Sequence, residues 1–211
     1  MKDPDEIQGS YDLVADEYVR RIYHELDGKP FDREILDRLA DRVRGAGRVY
    51  DLGCGPGHVA RYLYDRGVDV AGIDLSGEMV RLARTLNPGL EFRQGDMRAL
   101  ETPDGSLAAL VAFYSIIHFP LSSLSAVFAE MRRVLARDAP LLLAFHVGNE
   151  SIHLDAWWGR PVALDFVFFD SQAVRAELVR SGFRIVEALE REPYPDVEHP
   201  SRRAYVLAEA S

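Results

Sequence analysis

Along most of the chain, short apolar runs alternate with stretches in which hydrophobic residues recur every three or four positions. Residues 31–44 put Phe31, Ile35, Leu36, Leu39 and Val43 at helical spacing, which predicts a helix with one buried face, stopped by Gly45 and Gly47. A first strand is expected at 48–52. A helix follows at 57–66, with Val59, Ala60, Leu63 and Tyr64 inward, then a second strand at 68–73. The helix expected at 76–86 has Ser76 as its cap and Glu78 in its first turn, where a negative charge suits the free N–H groups. A third strand falls at 90–94. The run at 107–113 is apolar almost throughout, as in a central strand covered on both faces. The pattern continues with a helix at 121–135 and a buried strand at 141–146. A last helix at 171–181 is capped by Asp170 or Ser171 and stopped by Gly182, and closing strands follow at 184–189 and 204–208. This order predicts an α/β fold with a doubly wound sheet and helices on both faces. Residues 147–169 break the alternation and hold Trp157, Trp158, Phe166, Phe168 and Phe169, which predicts an inserted strand pair or lid.

Composition narrows the class. The 211 residues suit a single domain, and 47% hydrophobic with 28% charged residues is a globular balance. The net charge of -9 repels phosphate backbones, so no nucleic-acid partner is expected. The single cysteine, Cys54, excludes an intramolecular disulfide and any zinc site built from two cysteines of one chain. No metal cluster is expected either, because the six histidines show no H-E-x-x-H spacing. From 105 to 129 there is no Asp, Glu, Lys or Arg, but His118, Pro120 and five serines interrupt the stretch. It reads as a buried strand, a loop and the start of a helix rather than a membrane span. The charged N-terminus lacks the apolar core of a signal peptide, so the expectation is a soluble, cytoplasmic protein with no membrane partner.

The densest local signal is Asp51-Leu52-Gly53-Cys54-Gly55-Pro56-Gly57, where a strand gives way to a helix. Glycines there allow positive φ and close approach of a ligand to the backbone. A dinucleotide fingerprint, G-x-G-x-x-G, needs glycine at 58, and His58 stands there instead. Asp74 follows Gly57 by seventeen residues, at the end of the second strand, where an acid can accept from both hydroxyls of a ribose. Past the third strand comes Asp96, placed to accept from an adenine amino group, with Met97 beside it.

Three acids at three successive strand ends resemble the class I S-adenosylmethionine-dependent methyltransferases, over roughly residues 45–146. Tyr11-Asp12-Leu13-Val14-Ala15-Asp16-Glu17-Tyr18 also resembles the Y-D-x-x-A-x-x-Y element that folds over the cofactor in small-molecule members. The resemblance implies a Rossmann-like, seven-stranded, mainly parallel sheet of order 3-2-1-4-5-7-6 with the last strand antiparallel. It implies S-adenosylmethionine as cofactor. Gly53, Gly55 and Gly57 would border its methionine and ribose, and Asp51 would hold its amino end. Asp74 would bind the ribose hydroxyls, Leu75 and Met79 would lie beside the adenine, and Asp96 and Met97 would meet the adenine edge and face. Tyr11 and Tyr18 would close over it, and Tyr114 would line the sulfonium pocket. On this reading residues 1–44 form a helical cap, 45–146 the cofactor-binding half, 147–169 a lid and 170–211 the C-terminal half of one domain.

Methyl transfer needs alignment of nucleophile and methyl, and a base only when the nucleophile arrives protonated. Candidates to accept a proton or bind an anionic substrate are His118 and His146, after the fourth and fifth strands, with His153 in the insertion. Trp157 and its aromatic neighbours offer a substrate wall. Arg202, beside Arg203, could reach a substrate carboxylate or phosphate. Cys54 reads as a small packing residue. The expected activity is methyl transfer to a small-molecule acceptor by a monomer or homodimer. The alternatives are a nicotinamide-dependent oxidoreductase and a non-catalytic S-adenosylmethionine-binding module.

Overall fold

A computed structural model describes residues 3–211. Met1 and Lys2, part of the expected cap, lie outside the described residues. The first helix, α1 (Pro4–Ile22), starts where Asp3 accepts from the Asp5 N–H at 3.0 Å and Pro4 supplies a preset φ. A 3-10 turn (Glu25–Gly28) leads into α2 (Pro30–Val43), whose inward face is Ile35, Leu36, Leu39, Ala40 and Val43, as the spacing predicts.

The alternation then runs β1 (Val49–Leu52), α3 (His58–Tyr64), β2 (Val70–Asp74), α4 (Gly77–Leu86), β3 (Glu91–Gln94), β4 (Ala109–Phe113), α5 (Leu124–Val134) and β5 (Pro140–His146). Ser76 caps α4 by accepting from the Met79 N–H at 3.0 Å. A separate antiparallel hairpin follows, β6 (Ser151–Trp157) with β7 (Arg160–Val167), in the stretch that broke the alternation. The chain closes with α6 (Ser171–Arg180), β8 (Phe183–Arg191) and β9 (Arg203–Ala210), and Asp170 caps α6 through the Ala173 N–H.

The sheet order is β3-β2-β1-β4-β5-β9-β8. Leaving out the two hairpin strands, this is the expected 3-2-1-4-5-7-6. The first five strands run parallel, and β9 is antiparallel to both β5 and β8. The closing strands are longer than their apolar runs because the paired ladder carries exposed polar positions along with it.

Two cores flank the sheet. One packs Phe128, Met131, Leu141 and Phe145 with α5 and α6; the other packs Leu36, Leu63, Phe92 and Leu142 with α2, α3 and α4. Each such side chain, fully buried, stabilises the fold by about 1.5–3 kcal/mol.

α1 lies instead across the carboxyl ends of the strands, pinned on both sides. Asp12 accepts from Ser76 Oγ and from the Glu78 N–H (3.1 Å) at the start of α4. Ser10 Oγ accepts from the Ala163 N–H of β7 at 2.9 Å. The β1–α3 loop is clamped by Asn87, which is fully buried. Its amide donates to the Pro56 carbonyl at 2.9 Å, and its oxygen accepts from the Tyr23 hydroxyl at 2.7 Å. No described helix is long and apolar enough to cross a membrane.

Candidate functional site

Two cavities open under α1, at the carboxyl ends of the parallel strands, where ligands of open α/β sheets bind. The first lies over β1, β2, β3 and β4. Gly53 and Gly55 come from the loop after β1, Asp74 and Leu75 from the end of β2, and Asp96, Met97 and Arg98 from the loop after β3. Tyr114 and Ser115 close it at the end of β4, Met79 at the start of α4, and Ile7, Tyr11 and Tyr18 roof it from α1. Of the twelve residues assigned to the cofactor from sequence, the structure brings ten to this cavity. Asp51 and Gly57 do not line it. Asp51 is buried behind the loop, where it accepts from the Ala60 N–H at 3.1 Å. Gly57 supports the turn: its φ is +83°, and a Cβ there would lie 2.6 Å from the Phe92 ring.

The cradle suits a polar adenosine-bearing ligand. Asp74 Oδ1 accepts from the Ser76 N–H at 2.8 Å and Oδ2 from the Gly55 N–H at 2.7 Å, so each oxygen keeps capacity for one further donor. Ser115 Oγ is buried in the wall with no hydrogen-bond partner. Asp96 is paired with Arg98, which holds it below the usual carboxylate range despite partial burial. Burial raises Asp51 to about 7 and Asp74 to about 6, only partly offset by His58 near Asp51 and by the N–H donors on each. Burial also pushes the Cys54 thiol well up, in keeping with a packing role.

Tyr11, Tyr18 and Tyr114 also border the second cavity, so they form the partition between the two. This second space is walled by Trp157, Phe166 and Phe168, and holds Glu25, Lys29, His146, Glu198, His199 and Arg203. Tyr114 sits at φ +53°, a strained conformation for a residue with a Cβ, which turns its ring between the cavities. Trp157 stacks on Trp158 at 4.2 Å between ring centroids, and Arg21 lies 5.3 Å from the Trp158 ring.

His118 links the partition to the hairpin. Its Nδ1 bonds the Asp165 carbonyl at 3.0 Å, so that nitrogen carries the proton and Nε2 accepts from the Tyr11 hydroxyl at 2.7 Å. Burial lowers His118 to about 4 and His146 to about 3, with Arg203 beside His146 adding to the effect. Both rings are therefore neutral and weakly basic at neutral pH. A buried neutral His contributes stability above its unfolded pKa near 6.5, lost as the pH falls from there towards its folded value. Asp51 and Asp74 act oppositely: their cost to the fold is absent below about 3.8 and grows as the pH rises towards 7. The two pairs oppose each other between pH 4 and 7, so a direct titration is the clean measurement. The ring carbon resonances of His118 and His146 are expected to stay at neutral-imidazole positions from pH 8 down to about 5. A midpoint near 6.5 for either would contradict the burial described here.

Besides Asp51 and Gly57, four residues singled out from sequence are not brought to either cavity: Trp158, Arg202, His153 and Phe169. Arg202 points to the surface and pairs with Glu190 at 2.7 Å and Glu192 at 3.3 Å. Its neighbour Arg203 faces inward, because successive strand residues point to opposite sides. His153 is exposed on the hairpin beside Asp155 and Asp165. Phe169 packs on Phe145 in the core. Conversely, sequence reasoning missed Glu25, Lys29 and Ser115. Only the folded topology places the turn before α2 against the start of β9, and no local spacing signals it. Among the described residues, no group of three or more His, Cys, Asp or Glu is placed to hold a metal ion.

Comparison with known proteins agrees with this geometry. Residues 49–138 match the methyltransferase domain family. The chain is 28% identical over 203 residues to the magnesium-protoporphyrin O-methyltransferase of Rhodobacter capsulatus, covering 85% of this chain and 88% of that one. It is 31% identical over 188 residues to the malonyl-[acyl-carrier protein] O-methyltransferase of Geobacter sulfurreducens, covering 78% and 68%. The fold matches that of magnesium protoporphyrin IX methyltransferase from Synechocystis PCC 6803, crystallised with bound S-adenosylmethionine. That match has a TM-score of 0.72 at 20% identity over 100% of this chain and 98% of that chain. The chain belongs to the class I S-adenosylmethionine-dependent methyltransferases. It is an S-adenosylmethionine-dependent methyltransferase enzyme, and neither the nicotinamide-dependent nor the non-catalytic reading gains support.

Proposed function

We propose that the first cavity holds the cofactor, the second holds the acceptor, and the tyrosine partition sets the line of transfer between them. The observation that carries this reading is that Tyr11, Tyr18 and Tyr114 border both spaces. Asp74 binds the ribose hydroxyls, Leu75 and Met79 lie beside the adenine, and Asp96 and Met97 meet its edge and face. Gly53, Gly55 and Gly57 let the loop backbone approach the methionine portion, and Asp51 acts on the amino end from behind that loop. When bound, S-adenosylmethionine supplies a methyl group on a sulfonium that leaves as a neutral thioether. The chain's own task is then to align, to exclude water and to orient the acceptor. His118 keeps Tyr11 in place, and His146, too weak a base to draw a proton at neutral pH, shapes the acceptor wall.

The R. capsulatus relative acts on a magnesium porphyrin and the G. sulfurreducens relative on a malonyl group carried by a protein. For this chain, the aromatic wall of Trp157, Phe166 and Phe168 favours an acceptor with an apolar body. Residues 1–44 serve as cap, 45–146 as cofactor half, 147–169 as lid and 170–211 as the remaining support of one domain. A cytoplasmic monomer or homodimer without a nucleic-acid partner completes the reading, supported by the -9 charge.

Calorimetry with S-adenosylhomocysteine tests the cofactor assignment. Free Asp51 and Asp74, at about 7 and about 6, are partly protonated in mildly acidic solution. A cationic amine and hydroxyl donors favour their ionised forms, so binding releases protons and weakens as the pH falls. The affinity is expected to drop roughly tenfold from pH 7.5 to 5.5. Enthalpies in buffers of different ionisation heat read the released proton. No binding at submillimolar concentration, or binding without proton release, would count against these assignments.

A further inference from the structure

The acceptor cavity contains more free donors than free acceptors. Its two acids are committed. Glu198 accepts from Arg191 Nη1 at 2.7 Å, from Arg191 Nη2 at 2.9 Å and from the Tyr194 N–H at 2.8 Å. Glu25 accepts from Lys29 Nζ at 2.7 Å and meets His58 Nε2 at 3.2 Å. Its two cations are not fully used. Lys29 is 5% exposed and has that one hydrogen bond for three ammonium protons, its other acid neighbour being Glu198 Oε1 at 3.6 Å. Arg203 is 2% exposed, and its Nη1 donates to the His199 carbonyl at 2.9 Å, to Ser201 Oγ at 2.7 Å and to the Ser201 carbonyl. Its Nε is buried without a hydrogen-bond partner, the nearest acid oxygen being Glu198 Oε1 at 3.6 Å.

Position adds to this imbalance. Lys29 Nζ lies 5.2 Å and Arg203 Cζ 5.9 Å from the ring centroid of Tyr114, the residue that also borders the cofactor cavity. The spare donors therefore stand at the partition and not at the far wall. A buried, unmatched guanidinium N–H is costly, and a carboxylate satisfies it and a neighbouring ammonium together. An amine acceptor would find Glu25 and Glu198 already paired and Lys29 and Arg203 repelling it.

We propose that the methyl acceptor is a carboxylate: an apolar carboxylic acid whose carboxylate is bound by Arg203 and Lys29 beside Tyr114 and is methylated there. This rests on the methyltransferase reading above. A carboxylate oxygen forms the new bond to the methyl carbon while the methyl–sulfur bond breaks, its electron pair going to sulfur. The products are a methyl ester and S-adenosylhomocysteine. No proton moves, so no base is required. The surroundings agree: His118 and His146 are poor bases, and the Tyr114 phenol is pushed well above its ordinary value by burial.

The test is calorimetry on the full chain saturated with S-adenosylhomocysteine, using benzoate, 3-phenylpropionate and octanoate against their matched amides. At least one carboxylate is expected to bind roughly tenfold or more tightly than its amide, the difference made by charge-assisted hydrogen bonds. Lys29→Met is expected to erase much of that preference while amide binding persists, which shows that the cavity is intact. Arg203→Lys, which keeps the charge if Arg203→Met fails to fold, should lower it in the same way. Incubation with methyl-tritiated S-adenosylmethionine should yield label that alkali releases as volatile methanol. If S-adenosylhomocysteine binds but no carboxylate is preferred, or the label is alkali-stable, the proposal falls and the methyltransferase reading stands. If S-adenosylhomocysteine itself does not bind, the cofactor reading falls first.

Discussion

Asp74→Ala is expected to weaken S-adenosylhomocysteine binding by roughly a hundredfold while leaving a folded protein. Both Asp74 oxygens already accept one backbone N–H, at 2.8 and 2.7 Å, so the carboxylate is fixed in direction before any ligand arrives. Each oxygen then has capacity for one ribose hydroxyl. A hydrogen bond to a charged acceptor contributes about 1.5–3 kcal/mol, so losing two removes 3 kcal/mol or more, and 1.4 kcal/mol is a factor of ten. Asp74→Asn keeps one acceptor oxygen and should fall between. The carboxylate's own burial, which raises it to about 6, means that its removal also lifts a desolvation penalty from the fold. Calorimetry at pH 7.5, with thermal melts of both variants, reads the two effects apart. An affinity unchanged by the alanine substitution would remove Asp74 from the cofactor's ribose.

That residue could be found in the sequence because its place is set by chain-local rules. A strand ends on this acid, a helix begins three residues later, and the acid must face the sheet's open edge. The same holds for Gly53, Gly55 and Asp96, each within three residues of a strand's end. The acceptor cavity was less legible for a physical reason. Its polar groups come from the turn before α2, the end of β5 and the start of β9, which the fold brings together from far apart in the chain. The pairing His146↔Arg203 is a register, and a slip of one residue would have put Arg202 inward instead. The apolar run 204–208 gives no sign of where β9 begins, so the choice between two adjacent arginines was not available from spacing. Asp51 shows the opposite limit. Its position at the end of β1 was plain from sequence, but not that the Ala60 N–H would engage its carboxylate behind the loop.

Gly53→Ala should damage both stability and cofactor binding, and the structure says how to repair part of the damage. The backbone there has φ +68°, which costs an L-residue roughly 1–2 kcal/mol. An added Cβ would also lie 2.3 Å from Ser115 Cβ, inside any real contact distance, and overpacking of this kind costs about 1–3 kcal/mol more. For a chain of this length, a total of roughly 2–5 kcal/mol lowers the melting temperature by about 5–20 °C. The same methyl group would push on the wall of the cofactor cavity, since Gly53 and Ser115 both line it. S-adenosylhomocysteine binding should therefore fall by more than the stability loss alone explains. Ser115→Gly on that background removes the colliding Cβ but leaves the strained φ. The double variant should regain about 1–3 kcal/mol, a non-additive coupling of the size seen for residues in contact. Denaturant unfolding of the wild type, the two single variants and the double variant measures that coupling. Strict additivity would mean that the loop relaxes away from Ser115, and that the close approach of β1's loop to β4 does not shape the cradle.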